Sequence, residues 1–141
     1  ANKNFKRKNI FYLNKDLTKL KFKKSDYITS FFTIQFIEQK HRQVLINKIF
    51  KSLNWGGAFF YAEKIRYPDG RSQDMMNEIY KEWKLQNGFS LNEVNSKTKS
   101  LKGILDPFSS KGNLTILKNA GFKDIYHVAK FINFEVFLAI K

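Results

Sequence analysis

There is no cysteine in these 141 residues, which excludes disulfides, thiolate zinc sites and a cysteine nucleophile. Acids are scarce: 12 Asp and Glu stand against 26 Lys and Arg, for a net charge of +14. Only His41 and His127 supply imidazole. They lie far apart with no carboxylate at ligand spacing, so neither a metal site nor a Ser-His-Asp arrangement is expected. No G-x-G-x-x-G or P-loop pattern occurs, and Gly56-Gly57 falls between a helix and a strand, the wrong context for phosphate binding. Long apolar runs are missing too. Ala58 to Ala62 and Val136 to Ile140 are too short to span a bilayer. The basic N-terminus has no apolar segment behind it, so no signal peptide and a soluble, cytosolic chain are expected.

What is present is a core. Hydrophobic residues make up 43% of the chain and include 15 Phe, enough for one folded domain rather than a disordered tail. The positive charge is concentrated at the start. Nine of the 26 basic residues fall within the first 24 positions, against the single acid Asp16. Such a field attracts RNA phosphates, but arginine is scarce and no RNA-binding motif accompanies it. A lysine-rich composition, matched by many Asn, Ile and Phe, is the simpler explanation.

The periodicities predict an ordered series of elements. Asn9 to Leu13 reads as a strand followed by a turn at Asn14-Lys15-Asp16, and Tyr27 to Phe32 as a second strand. A helix is expected over 39–53, where Ile46, Ile49, Phe50 and Leu53 share one face. The run Ala58 to Ala62 suits a strand buried on both faces. After Pro68-Asp69-Gly70, Ser72 is a candidate cap for a helix whose face is Met76, Ile79, Tyr80 and Trp83, ending at Gly88. Ser90 to Glu93 is a capping box opening a further helix. Leu114 and Leu117 mark a short helix stopped by Gly121, and two strands close the chain near 122–130 and 134–140. This is the tail of an α/β order. A right-handed crossover through 39–53 places strands 27–32 and 58–62 side by side and parallel, and the tightly joined closing pair is antiparallel. The expectation is one domain over 1–141 with a helical insert at about 72–105.

Ligands of open α/β sheets bind beyond the carboxyl ends of the strands. Three such ends stand out. Asp16-Leu17 offers an acceptor beside a backbone N–H and an apolar side chain, a pairing that suits adenine; a turn aspartate capping its own backbone is the simpler alternative. Phe31 to Phe36 ends the second strand, with Thr33 and Gln35 offering polar groups among three Phe for which core is the simpler reading. Glu63-Lys64 is a third candidate for the cleft rim, or a solvated pair.

These residues resemble a family. Asp16-Leu17, then Phe31-Phe32-Thr33-Ile34-Gln35-Phe36, then Leu53 to Ala58 and Glu63-Lys64, are similar to the carboxy-S-adenosyl-L-methionine synthases, relatives of the class I methyltransferases. Later landmarks match as well: Asn87-Gly88-Phe89-Ser90, Glu93-Val94, Asn119 to Phe122 and Asn133-Phe134. The likeness runs nearly ungapped from Asn14 to Lys141. FTIQF and the NGFS-to-NAGF succession are its specific parts.

The resemblance implies the C-terminal part of a Rossmann-like fold that binds S-adenosyl-L-methionine, with a mixed, mostly parallel sheet and a closing antiparallel pair. Family members use prephenate to carboxylate the cofactor's methyl group, and the product serves tRNA wobble-uridine modification. Homodimers are implied, with the insert at 72–105 as interface; tRNA is at most an indirect partner. By position Asp16 and Leu17 match residues that hold the adenine. Phe31 stands where the family has a cofactor-contacting Asn, and Thr98 where it has the Arg that recognises the added carboxylate. Phenylalanine cannot make the amide's hydrogen bonds, and threonine lacks the bidentate grip of a guanidinium. An ordinary methyl transfer to another acceptor, or a truncated dimerising module without catalysis, is the alternative. The glycine-rich turn and ribose-holding acid of the family do not occur in this sequence, so an N-terminally truncated domain is expected.

Overall fold

The computed structural model describes residues 10–141. Four strands form one sheet in the order β1-β2-β4-β3, with β1 Ser25–Phe31, β2 Leu53–Lys64, β3 Asp124–Phe131 and β4 Phe134–Ile140. β1 and β2 run parallel, joined by the crossover helix α1, Gln39–Ser52. β4 lies antiparallel between β2 and β3. The sheet is therefore mixed, as the element order required. The last strand enters the sheet beside β2 because a tight turn at Ile132-Asn133 sends the chain straight back along β3.

One face of the sheet carries the core. Phe59 and Tyr61 of β2 and Phe137 and Ala139 of β4 are fully buried against Leu45, Ile46 and Ile49 of α1. The helix α4, Ser110–Ala120, adds Ile116 and Leu117. Rings lock the layer together: Phe122 packs edge-on to Phe50 at 4.9 Å and stacks with Phe59 at 6.1 Å. Gly121 ends α4 at φ +114, and a Cβ there would meet the Phe50 ring at 2.8 Å. Both the left-handed turn and the aromatic contact thus require glycine.

Several expectations need correction. The described part of the first expected strand, residues 10–13, forms none, and Asn9 lies outside the described residues. A short apolar stretch needs a neighbour to satisfy its backbone, and among the described residues β1 pairs only with β2. β2 is longer than Ala58–Ala62, beginning at Leu53. It is buried on one face at Phe59, Tyr61 and Glu63 and less completely on the other, where Ala62 is buried but Ala58, Phe60 and Lys64 are half-covered. The helix α2, Gly70–Gln86, is capped by Asp69, whose carboxylate accepts from the Ser72 N–H, rather than by Ser72. None of its residues is buried; Ile79 and Trp83 of the expected face remain 40% and 37% exposed. α3, Leu91–Ser100, opens with the full capping box of Ser90 and Glu93. Among the described residues no helix is long and apolar enough to cross a membrane.

Candidate functional site

The carboxyl ends of β1 and β2 lie side by side, with Phe31 opposite Ala62. Leaving β1, the chain makes a sharp turn. Phe32 adopts φ +49, a left-handed conformation that an aromatic residue rarely takes, and donates its N–H to the Ala62 carbonyl at 2.8 Å. A single 3₁₀ turn, Ile34–Phe36, follows before α1.

A buried carboxylate holds this turn. Glu63, 1% exposed at the end of β2, accepts from three successive backbone N–H groups. Its Oε1 takes Thr33 at 3.2 Å and Ile34 at 2.9 Å, and its Oε2 takes Gln35 at 3.0 Å. Gln35 answers: its Oε1 accepts from the Lys64 N–H at 2.9 Å, and its Nε2 donates to the Phe32 carbonyl at 3.4 Å. Each strand tip therefore caps the other. Arg42 of α1, 2% exposed, supports the turn from below. Its Nε donates to the Ile37 carbonyl at 2.7 Å and its Nη2 to that of Gln35 at 3.2 Å, with the guanidinium 4.5 Å above the Phe108 ring. Burial pushes the Glu63 carboxyl up to about 7, against the opposing pull of the three amides and Arg42.

The expectation of a solvated Glu63-Lys64 pair is therefore wrong. Successive strand residues face opposite sides of a sheet: Glu63 turns into the core side, while Lys64 lies on the other. Gln35 is likewise committed inside the protein, whereas Thr33 is exposed and closes the turn, its hydroxyl donating to the Phe31 carbonyl at 2.8 Å. Sequence reasoning missed the roles of Glu63 and Arg42. The only signal for them was a charged residue inside an apolar pattern, which has no meaning until its partners are known.

Asp16 is exposed and makes the turn anticipated as its simpler reading. Its Oδ1 accepts from the Thr18 N–H at 2.9 Å and hydroxyl at 2.7 Å, and Lys19 lies 3.7 Å from Oδ2. The Thr18 bonds, then the Lys19 charge, hold this carboxyl below its usual range. Leu17 is half-buried against the core cluster. Asp16 lines a shallow recess with Lys15, Lys19, Leu20 and Lys21. Phe31 is not part of that recess: it is 56% exposed at the tip of β1, its ring 5.3 Å from Phe60. Thr98 stands apart on α3, where its hydroxyl donates to the Val94 carbonyl at 2.9 Å. Among the described residues no cluster of His, Asp or Glu could hold a metal ion.

Curated proteins similar in sequence include several of one name. Over 133 residues, 94% of this chain and 58% of theirs, the chain is 40% identical to the carboxy-S-adenosyl-L-methionine synthase of Staphylococcus epidermidis. With that of Campylobacter lari it shares 40% identity over 94% of this chain and 56% of the other. The chain is similar to these synthases over nearly all of its own length. It spans a little over half the length of these synthases. No protein-family model matches it. Solved structures agree on the fold. Human N-acetylserotonin methyltransferase in complex with SAM superposes with a TM-score of 0.64 at 16% identity, over 96% of this chain and 34% of that one. An O-methyltransferase family 2 protein from Planctomyces limnophilus gives 0.60 at 13% identity, over 90% and 33%. The fold is thus similar to part of the fold of these methyltransferases, and the turn that the synthase resemblance singled out is the one Glu63 and Arg42 hold.

Proposed function

We propose that this chain is part of an S-adenosyl-L-methionine-dependent transferase that makes carboxy-S-adenosyl-L-methionine. The observation that carries the reading is the 40% identity to a synthase across 94% of the chain. In this reading Asp16 and Leu17 hold the adenine, and Phe31, at the strand tip, lies against the adenosyl group. The cofactor supplies the methyl group, and prephenate is the carboxyl donor. tRNA enters only through the product's later use, in the cytoplasm. A homodimer is part of the proposal: α2, α3 and the turn between them expose Met75, Ile79, Phe89 and Leu91, an apolar surface suited to a second copy.

Two positions favour a second reading, ordinary methyl transfer to a small acceptor. Phe31 has no amide with which to bond the cofactor, and the Thr98 hydroxyl is engaged with its own helix. Calorimetric titration with S-adenosylhomocysteine tests both. Heat of binding is expected, with affinity lowered about tenfold or more by Asp16→Ala, the loss of one charge-assisted hydrogen bond. Incubation with S-adenosyl-L-methionine and prephenate should yield a carboxylated cofactor by mass spectrometry. Methyl transfer without that product favours the second reading, and no binding heat removes both.

A further inference from the structure

Four cations gather around the carboxyl end of β2. Lys64 closes the strand and Arg66 follows it, while Lys84 and Lys97 come from the last turns of α2 and α3. The ammonium of Lys84 lies 4.2 Å from the centroid of the Tyr80 ring, and that of Lys64 lies 5.9 Å from the same centroid. Burial, then the charges of Lys84 and Arg66, hold Lys64 below the usual lysine range; burial and Lys97 do the same to Lys84. None of the four forms an ion pair among the described residues. Three acids of this region are engaged elsewhere. Glu63 faces the other side of the sheet, Glu78 pairs with Lys81, and Asp69 caps α2.

Like charges set together and partly desolvated raise the energy of the folded chain. An anion between them would remove that penalty. The floor beside them is aromatic. Tyr80 meets Phe134 edge-on at 5.2 Å, and Phe134 meets Phe32 at 5.2 Å. Phe32 is the left-handed residue at the tip of β1, so one continuous row of rings leads from the strand-tip cleft to the cations.

We propose that Lys64 and Lys84, seated on Tyr80 and reinforced by Arg66 and Lys97, hold the carboxylate of a small organic anion whose apolar body lies on Phe134 and Phe32. The anion's role as second substrate rests on the transferase reading; the site itself does not. Lysine takes carboxylate and phosphate alike as a point charge. The rings decide for a carboxylate carried on an apolar body, because an inorganic phosphate gains nothing from them.

The test uses phenylacetate and inorganic phosphate as probes, followed by amide NMR shifts of the whole chain. Phenylacetate should produce saturable shifts at Lys64, Tyr80 and Lys84. The Lys64→Gln/Lys84→Gln double variant should weaken binding about tenfold or more, and phosphate should bind about tenfold more weakly than phenylacetate. Absent or unsaturable shifts, shifts centred elsewhere, unchanged binding in the double variant, or phosphate binding as tightly as phenylacetate would each overturn the site. A second variant reads the strain without a ligand. Lys64→Met should raise Tm by roughly 2–4 °C, and a fall would make Lys64 a structural residue instead. S-adenosylhomocysteine titrated into the same sample separates the two readings. Phenylacetate binding without cofactor heat keeps the anion site and removes the transferase; cofactor heat without phenylacetate shifts does the reverse.

Discussion

At the scale of single residues, Glu63 shows how a local sequence and its role can part company. Its side chain accepts from three amides, yet it sits in a layer of Phe59, Tyr61 and Phe137 where a charge is poorly solvated. Burial wins, raising the carboxyl from 4.5 to about 7. An acid raised in this way binds its proton more tightly folded than unfolded. Its contribution is therefore full below the unfolded value of 4.5 and is lost as pH rises through about 7. A rise of that size corresponds to about 3 kcal/mol. Urea denaturation between pH 5 and pH 8 should show stability falling with pH, and Glu63→Gln should flatten that slope. An equal slope in the variant would mean that other groups titrate. Glu63→Ala should flatten the slope as well, destabilising by about 3 kcal/mol at pH 5 and by less at pH 8, because the N–H groups of Thr33, Ile34 and Gln35 lose their acceptor.

At the scale of elements, ends were easier to read than faces. The capping box at Ser90-Glu93 is set by chemistry within four residues, and both of its bonds form: Glu93 N–H to the Ser90 hydroxyl at 3.3 Å, and Ser90 N–H to the Glu93 carboxylate at 2.8 Å. Ser90→Ala should cost about 1 kcal/mol, appearing as faster hydrogen exchange in the first turn of α3 before any change in Tm. Gly121 was equally legible as a stop, but its contact with Phe50 was not. A residue 71 positions distant cannot be inferred from a turn signal (121 − 50). Gly121→Ala combines left-handed strain of roughly 1–2 kcal/mol with the displacement of a packed ring. Denaturation should therefore show a larger loss than Ser90→Ala gives. α2 marks the limit of periodicity. Its apolar stripe is real, but its repeat cannot say how far a stripe is covered, and here Ile79 and Trp83 stay more than a third exposed.

At the scale of the whole molecule, the two faces of the sheet differ. α1 and α4 cover one; the other exposes Tyr27, Phe31 and Tyr126, each at 56%. Substitution should report the difference directly. Phe59→Ala on the covered face should cost about 3–5 kcal/mol, whereas Tyr126→Lys should stay within about 0.5 kcal/mol, both by denaturation. A large loss at Tyr126 would show that the second face is covered in solution.

The sequence by itself determined the α/β order, the parallel pairing of β1 with β2, the antiparallel closing pair, the α3 capping box and the likeness to the synthases. These follow from periodicity, from crossover handedness and from runs of residues that lie close together along the chain. The tertiary structure alone decided that residues 10–13 would find no strand to join, that β4 would lie between β2 and β3, and that Glu63 and Arg42 would anchor the turn at 33–37. It also brought Lys64 and Lys84 to a single ring. Each of these depends on partners tens of residues away, and a burial penalty or a hydrogen bond exists only once the chain has brought both sides together.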